Sequence, residues 1–205
     1  MAELIKLYED PIDEKKVAQI VKVLKNGGLV IYPTDTVYGL GCDINNKSAL
    51  EKLAQIKGVK LKKADFSFIC PDLKDLSEYV SQIETQTFKI LKRSLPGPYT
   101  FILPGSSSLP TVFKKKKTVG IRIPDNPITL AIAKALGNPL VNTSIRDEDE
   151  VLEYTTDPSL IFEKWEHLVD IVIDGGFGDN EASTVVDLTG DEPVLLREGK
   201  GELVI

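Results

Sequence analysis

The 205 residues contain only two cysteines, one histidine, one methionine and one tryptophan. Cys42 and Cys70 stand far apart without a CxxC, and His167 is alone. That argues against a disulfide framework and against a zinc site. No apolar run reaches the roughly 18 residues of a membrane helix. The opening stretch "MAELIKLYEDPIDEKK" lacks a basic segment followed by an apolar one. No secretory signal is therefore expected, and the cytoplasm is the expected compartment. The common phosphate loops are missing too. There is no GxxxxGK[ST], and "GLGCDI" fails GxGxxG because Ile44 stands at the third glycine position.

Positive charge is in short supply. There are 25 Lys and Arg against 31 Asp and Glu, for a net charge of −6. A dedicated nucleic-acid binder is usually basic, so this weighs against that class. The lysines nevertheless cluster, at Lys57, Lys60, Lys62 and Lys63 and again at Lys114 to Lys117. The first group reads as a solvated helix end and the second as a surface loop. His167 reads as a packing or surface residue and Cys42 as a small core residue.

What is present is an alternation of strand-like and helix-like runs, with no internal repeat. Strands are expected at 29–33, 66–70, 99–104, 118–124, 139–144, 170–176, 183–188 and 194–199, each apolar and bounded by Gly or Pro. "DEKKVAQIVKVLKNGG" places Val17, Ile20, Val21 and Leu24 on one helical face. "SALEKLAQIKG" has Ser48 and Glu51 at capping-box spacing. Further helices are expected at "TQTFKILKRSLPG", at "NPITLAIAKALG", opened by Asn126 and Pro127, and at "DPSLIFEKW". This describes an α/β (α+β) domain over residues 1–205, with a twisted mixed sheet and an antiparallel pair near the C-terminal end.

Polar residues gather at strand ends, where α/β folds place their ligands. Thr34 and Thr36 follow one strand; Asn142, Thr143 and Ser144 end another; Ser183 and Thr184 begin a third. "YPTDTVYGLGCD" reads as a loop too rich in hydroxyls for a plain turn. Arg122 and Arg197 sit within apolar strands. A buried unpaired charge costs several kcal/mol or more, so each needs a partner, either an acidic side chain or an anionic ligand.

In order along nearly the whole chain, "IYPTDTVYGLGCD", "AQIKG", "PGPYTFIL", "TVGIRIPDNP", "LVNTS", "ASTVVDL" and "VLLREGKGEL" resemble the YrdC/YciO family, whose characterised members are threonylcarbamoyl-AMP synthases. The resemblance implies a twisted open mixed sheet with flanking helices and a large concave cavity. It implies that L-threonine, bicarbonate and ATP become threonylcarbamoyl adenylate and pyrophosphate, with magnesium accompanying ATP and no metal site of the protein's own. Carried over by position, Thr36, Arg122, Asn142 and Ser183 bind threonine. Lys57, Lys60, Thr118, Ser144 and Arg197 face ATP. Lys57 and Arg122 stand as catalytic. The product would feed tRNA modification through tRNA or partner proteins.

Three positions depart from the synthase pattern. Val59 replaces the arginine of a K-x-R segment, Arg146 replaces the asparagine of S-x-N, and Cys70 replaces a histidine common in the family. Together with "FSFICPDLKDLSEY" these changes resemble the YciO branch. A lysine nearby cannot reproduce the bidentate fork of the missing arginine. Arg146 offers a route by which positive charge is restored. The alternative reading is a YciO-type nucleotide- or RNA-binding protein of the translation-factor kind, with weak double-stranded RNA binding and weak or different activity.

Overall fold

The fold is that of a computed structural model describing residues 1–113, 116–145 and 153–202. Val17, Ile20, Val21 and Leu24 are buried on α1 (Glu14–Lys25), as their spacing predicts. Asp13 caps this helix, its side chain accepting from the amides of Lys15 and Lys16. Before and after it lie β1 (Glu3–Lys6), β2 (Val30–Tyr32) and β3 (Gly39–Asp43). Next come α2 (Lys47–Ile56), β4 (Ser67–Ile69), α3 (Thr85–Ser94), β5 (Tyr99–Pro104) and β6 (Thr118–Arg122). Then follow α4 (Pro127–Leu136), β7 (Leu140–Ser144), α5 (Glu153–Thr156) and α6 (Pro158–Trp165). The described chain closes with β8 (Ile171–Asp174), β9 (Thr184–Asp187) and β10 (Val194–Arg197).

Two strands were not anticipated. β1 carries charge at Glu3 and Lys6 and has only four residues, so its apolar signal is short. β3 lies inside the supposed loop, because two glycines mask its strand pattern. The expected capping box is also corrected. Asn46 caps α2, its Oδ1 accepting from the amide of Ala49 at 3.1 Å, and Ser48 lies inside the helix. The cap of α4 is as read: Asn126 accepts from Thr129, Pro127 opens the first turn, and Gly137 closes the helix at φ 81°.

One mixed ten-stranded sheet runs β1-β8-β2-β3-β7-β4-β6-β5-β9-β10. β9 and β10 pair antiparallel, as the short connection between them requires. Each face of the sheet carries its own core. One includes Ile31, Leu40, Phe68, Phe101, Ile121 and Val141 beside Leu50 and Leu53 of α2 and Leu91 of α3. The other includes Val30, Tyr32, Ile171 and Ile173 beside residues of α1 and α4.

That second face changes character along the strand order. Ser67 pairs with Gly120 and with Asn142, Gly120 pairs with Ile102, and Ile102 pairs with Asp187. Side chains alternate across a strand, so these residues share one face. All but Ile102 are small or polar where the helical layer would demand large apolar groups. Among the described residues no helix is long and apolar enough to cross a membrane.

Candidate active site

The small and polar half of that face lines a concave cavity of about 590 Å³. Lys57, Thr118, Arg122, Asn142, Ser144, Ser183 and Arg197 all line it. Residues spread over most of the chain thus meet in one hollow. Thr36 is not on the lining but is fully buried behind it, and its Oγ1 accepts from Arg122 Nη2 at 2.9 Å. Lys60 is exposed and lies outside the lining, just before a short 3-10 turn at Leu61–Lys63. Arg146, Lys114 and Lys115 lie outside the described residues.

Arg122 is 2 % exposed. Its Nη2 also donates to Asp35 Oδ1 at 2.9 Å, forming a buried ion pair. Burial pulls the guanidinium pKa down, and the Asp35 carboxylate pulls it back up. The ion pair and a ligand site are not alternatives here. Arg122 Nε is buried and has no hydrogen-bond partner among the described residues.

Asn142 is held by residues the sequence did not connect to it. Tyr32 Oη donates to Asn142 Oδ1 at 2.9 Å, and Asn142 Nδ2 donates to Ser67 Oγ at 3.1 Å. The Tyr32 ring reaches β7 by lying across β3, which is possible only over glycine. A Cβ on Gly39 would fall 2.4 Å from Asn142 Oδ1, and one on Gly41 would fall 2.4 Å from Tyr32 Oη. The two glycines of "GLG" therefore make room for a side chain rather than for a ligand's backbone contact. Burial raises the Tyr32 pKa far above its usual value, so the phenol stays a neutral donor.

Ser183 shares a hydrogen bond with Thr100 across 2.8 Å. Arg197 grips the Ser183 carbonyl with Nε at 3.2 Å and Nη2 at 2.6 Å. Part of the partner sought for Arg197 is therefore backbone. The segment after it ties back across the molecule: Lys200 Nζ donates to the Asp35 carbonyl at 2.7 Å and pairs with Asp179 at 2.7 Å.

Lys116 was read as part of a surface run, yet it lines the cavity. It donates to the Ala64 carbonyl and, at 2.7 Å, to Asp65 Oδ1. Asp35 was also missed as a site residue. Its signal was available: a buried arginine demands a carboxylate, and Asp35 directly precedes Thr36. Val59, 42 % exposed, lies outside the lining. His167 is a surface residue paired with Glu166 at 3.4 Å, and both cysteines are buried.

A metal centre built by the protein does not fit. No cluster of three or more His, Cys, Asp or Glu among the described residues could hold an ion. The carboxylates on the cavity lining are Asp65 and Asp187, and Asp187 already accepts from Thr189.

The fold and cavity define an α/β protein that gathers arginine, lysine and hydroxyl groups on a bare sheet face, suited to a small anionic ligand. The chain belongs to the Sua5/YciO/YrdC family, whose model, described as telomere recombination, matches residues 22–199. It is 37% identical over 206 residues to the Escherichia coli protein named uncharacterized protein YciO, covering 99% of this chain and 98% of that one. The crystal structure of E. coli YciO superposes with a TM-score of 0.88 over 98% of both chains at 36% identity. A threonylcarbamoyl-AMP synthase of Nitrosococcus oceani is 32% identical over 130 residues, 63% of this chain and 70% of the relative. P. abyssi Sua5 complexed with L-threonine has a TM-score of 0.84 at 28% identity, over 97% of this chain and 58% of that one.

Proposed function

We propose that the protein is an ATP-dependent L-threonylcarbamoyladenylate synthase. The observation that carries this reading is Arg122, a buried arginine on the wall of a cavity lined by hydroxyls and cations, whose Nε has no hydrogen-bond partner among the described residues. A guanidinium at the wall of such a cavity is a fitting partner for a ligand carboxylate. The L-threonine complex of Sua5 and the synthase relative support the choice of amino acid and of adenylation.

The chemistry asks for positioning and fixed positive charge. The threonine amine adds to the carbon of bicarbonate, and loss of water gives a carbamate. A carbamate oxygen then attacks the α-phosphorus of ATP, and the bond to pyrophosphate breaks. Anionic groups crowd at the reacting centre throughout. Arg122, with Thr36 behind it and Asn142 and Ser183 beside it, orients the amino acid. Lys57, Thr118, Ser144 and Arg197 face the nucleotide, with Lys60 beyond the rim. The product would pass to proteins that modify tRNA. The test is pyrophosphate release from ATP that depends on both threonine and bicarbonate. No release above background, with other amino acids equally inactive, would overturn the reading.

A further inference from the structure

We infer that Asp35 is a positioning residue for Arg122, an inference that rests on the threonine reading of the cavity. Asp35 does not line that cavity. It lines a second crevice of about 630 Å³ together with Pro33 and Thr34. Its carboxylate splits its two oxygens between different tasks. Oδ1 accepts from Arg122 Nη2 at 2.9 Å, and Oδ2 accepts from the Asp125 amide at 3.0 Å. Its carbonyl is held by Lys200 Nζ at 2.7 Å.

An ion pair whose task is only to neutralise a buried arginine gains most from the parallel two-nitrogen fork. Asp35 forgoes it. It takes one nitrogen, spends the other oxygen on backbone, and leaves Nε without a partner among the described residues. Thr36 Oγ1 holds the same Nη2 at 2.9 Å, so two acceptors pin one corner of the guanidinium. Thr36 is itself fixed by Thr34, whose Oγ1 accepts from the Thr36 amide at 3.1 Å. The pinned corner sets the direction in which Nε points. Asp35 thereby orients the arginine without touching the ligand.

Two variants separate orientation from charge. Asp35→Asn keeps an acceptor and loses the charge. Asp35→Glu keeps the charge and moves the carboxylate by one methylene. Threonine binding by calorimetry is measured on wild type and both variants, with ATP binding and melting temperature alongside. The expected result is threonine affinity about 10- to 100-fold weaker in both variants, by analogy with the partners that orient metal ligands from behind. ATP binding stays at the wild-type value, and Asp35→Glu melts closer to wild type than Asp35→Asn. Wild-type threonine affinity in either variant overturns the inference, because a merely neutralising carboxylate is rescued by glutamate. If wild type itself binds no threonine, the functional reading fails separately. The Nε–Hε resonance of Arg122 then decides: broadening in Asp35→Glu supports orientation, and an unchanged line overturns it.

Discussion

Arg122 and Asp35 are buried together, so each alone is a liability. Arg122→Ala leaves the carboxylate buried and unpaired, which costs about 3–5 kcal/mol by denaturant unfolding. The same variant should lose threonine binding by calorimetry. Gly39→Ala places a methyl 2.4 Å from Asn142 Oδ1 and 2.8 Å from the Tyr32 ring. Overpacking of this kind costs about 1–3 kcal/mol, and displacing Asn142 should weaken threonine binding as well. The thiols are governed by burial. Desolvation, then the Asp75 charge, pushes Cys70 from the ordinary 9.0 to about 12, and burial followed by Asp43 raises Cys42 further. A folded state that holds its thiol protons more tightly is favoured below the unfolded value. That contribution is complete below 9.0 and is lost as pH rises toward about 12. Native protein at pH 8 should leave both thiols unreactive to a disulfide reagent, and denaturation should release both.

At the scale of elements, α2 offers a direct comparison of two caps. Asn46→Ala should cost about 0.5–2 kcal/mol by thermal unfolding, whereas Ser48→Ala should be nearly neutral. The strap after β10 carries the Lys200–Asp179 pair. The Lys200 hydrogen bond is the main cause holding Asp179 below its ordinary 3.8. The stabilisation is therefore present above 3.8 and is lost as pH falls through the lower folded value. Lys200→Met should raise the Asp179 titration midpoint, read from its carboxyl carbon resonance. Much of this layer was legible in the sequence. The helical spacing in α1, the Asn126–Pro127 opening of α4 and the apolar runs of eight strands each carry a local signal. β3 was hidden because its glycines are selected by the Tyr32 ring, a contact between distant segments. The role of Lys116 was hidden for the same reason, whereas a carboxylate for Arg122 was called for by the sequence and only its assignment to Asp35 needed the fold. Both partners, Arg122 for Asp35 and Asp65 for Lys116, lie far away along the chain.

At the scale of the whole molecule, a ligand that binds only the folded state adds RT ln(1 + [L]/Kd) to stability. Threonine at 100 times its Kd should add about 2.7 kcal/mol. For a chain of this size that raises the melting temperature by roughly 5–10 °C. Arg122→Ala should show no such rise at any threonine concentration. The sheet order has a further consequence for how the protein comes into being. β8 fills the place between β1 and β2, and β9 pairs with β5. The cavity wall is drawn from Lys57 through to Arg197. Domains emerge from the ribosome N-terminal end first. A nascent chain that has not yet exposed Ser183 and Arg197 has most of its helices but an unfinished cavity wall. Incomplete copies, whether stalled or cut, therefore lack the part of the wall that Ser183, Val185, Asp187, Leu196 and Arg197 supply, and the cavity is closed off only when the last strands are made.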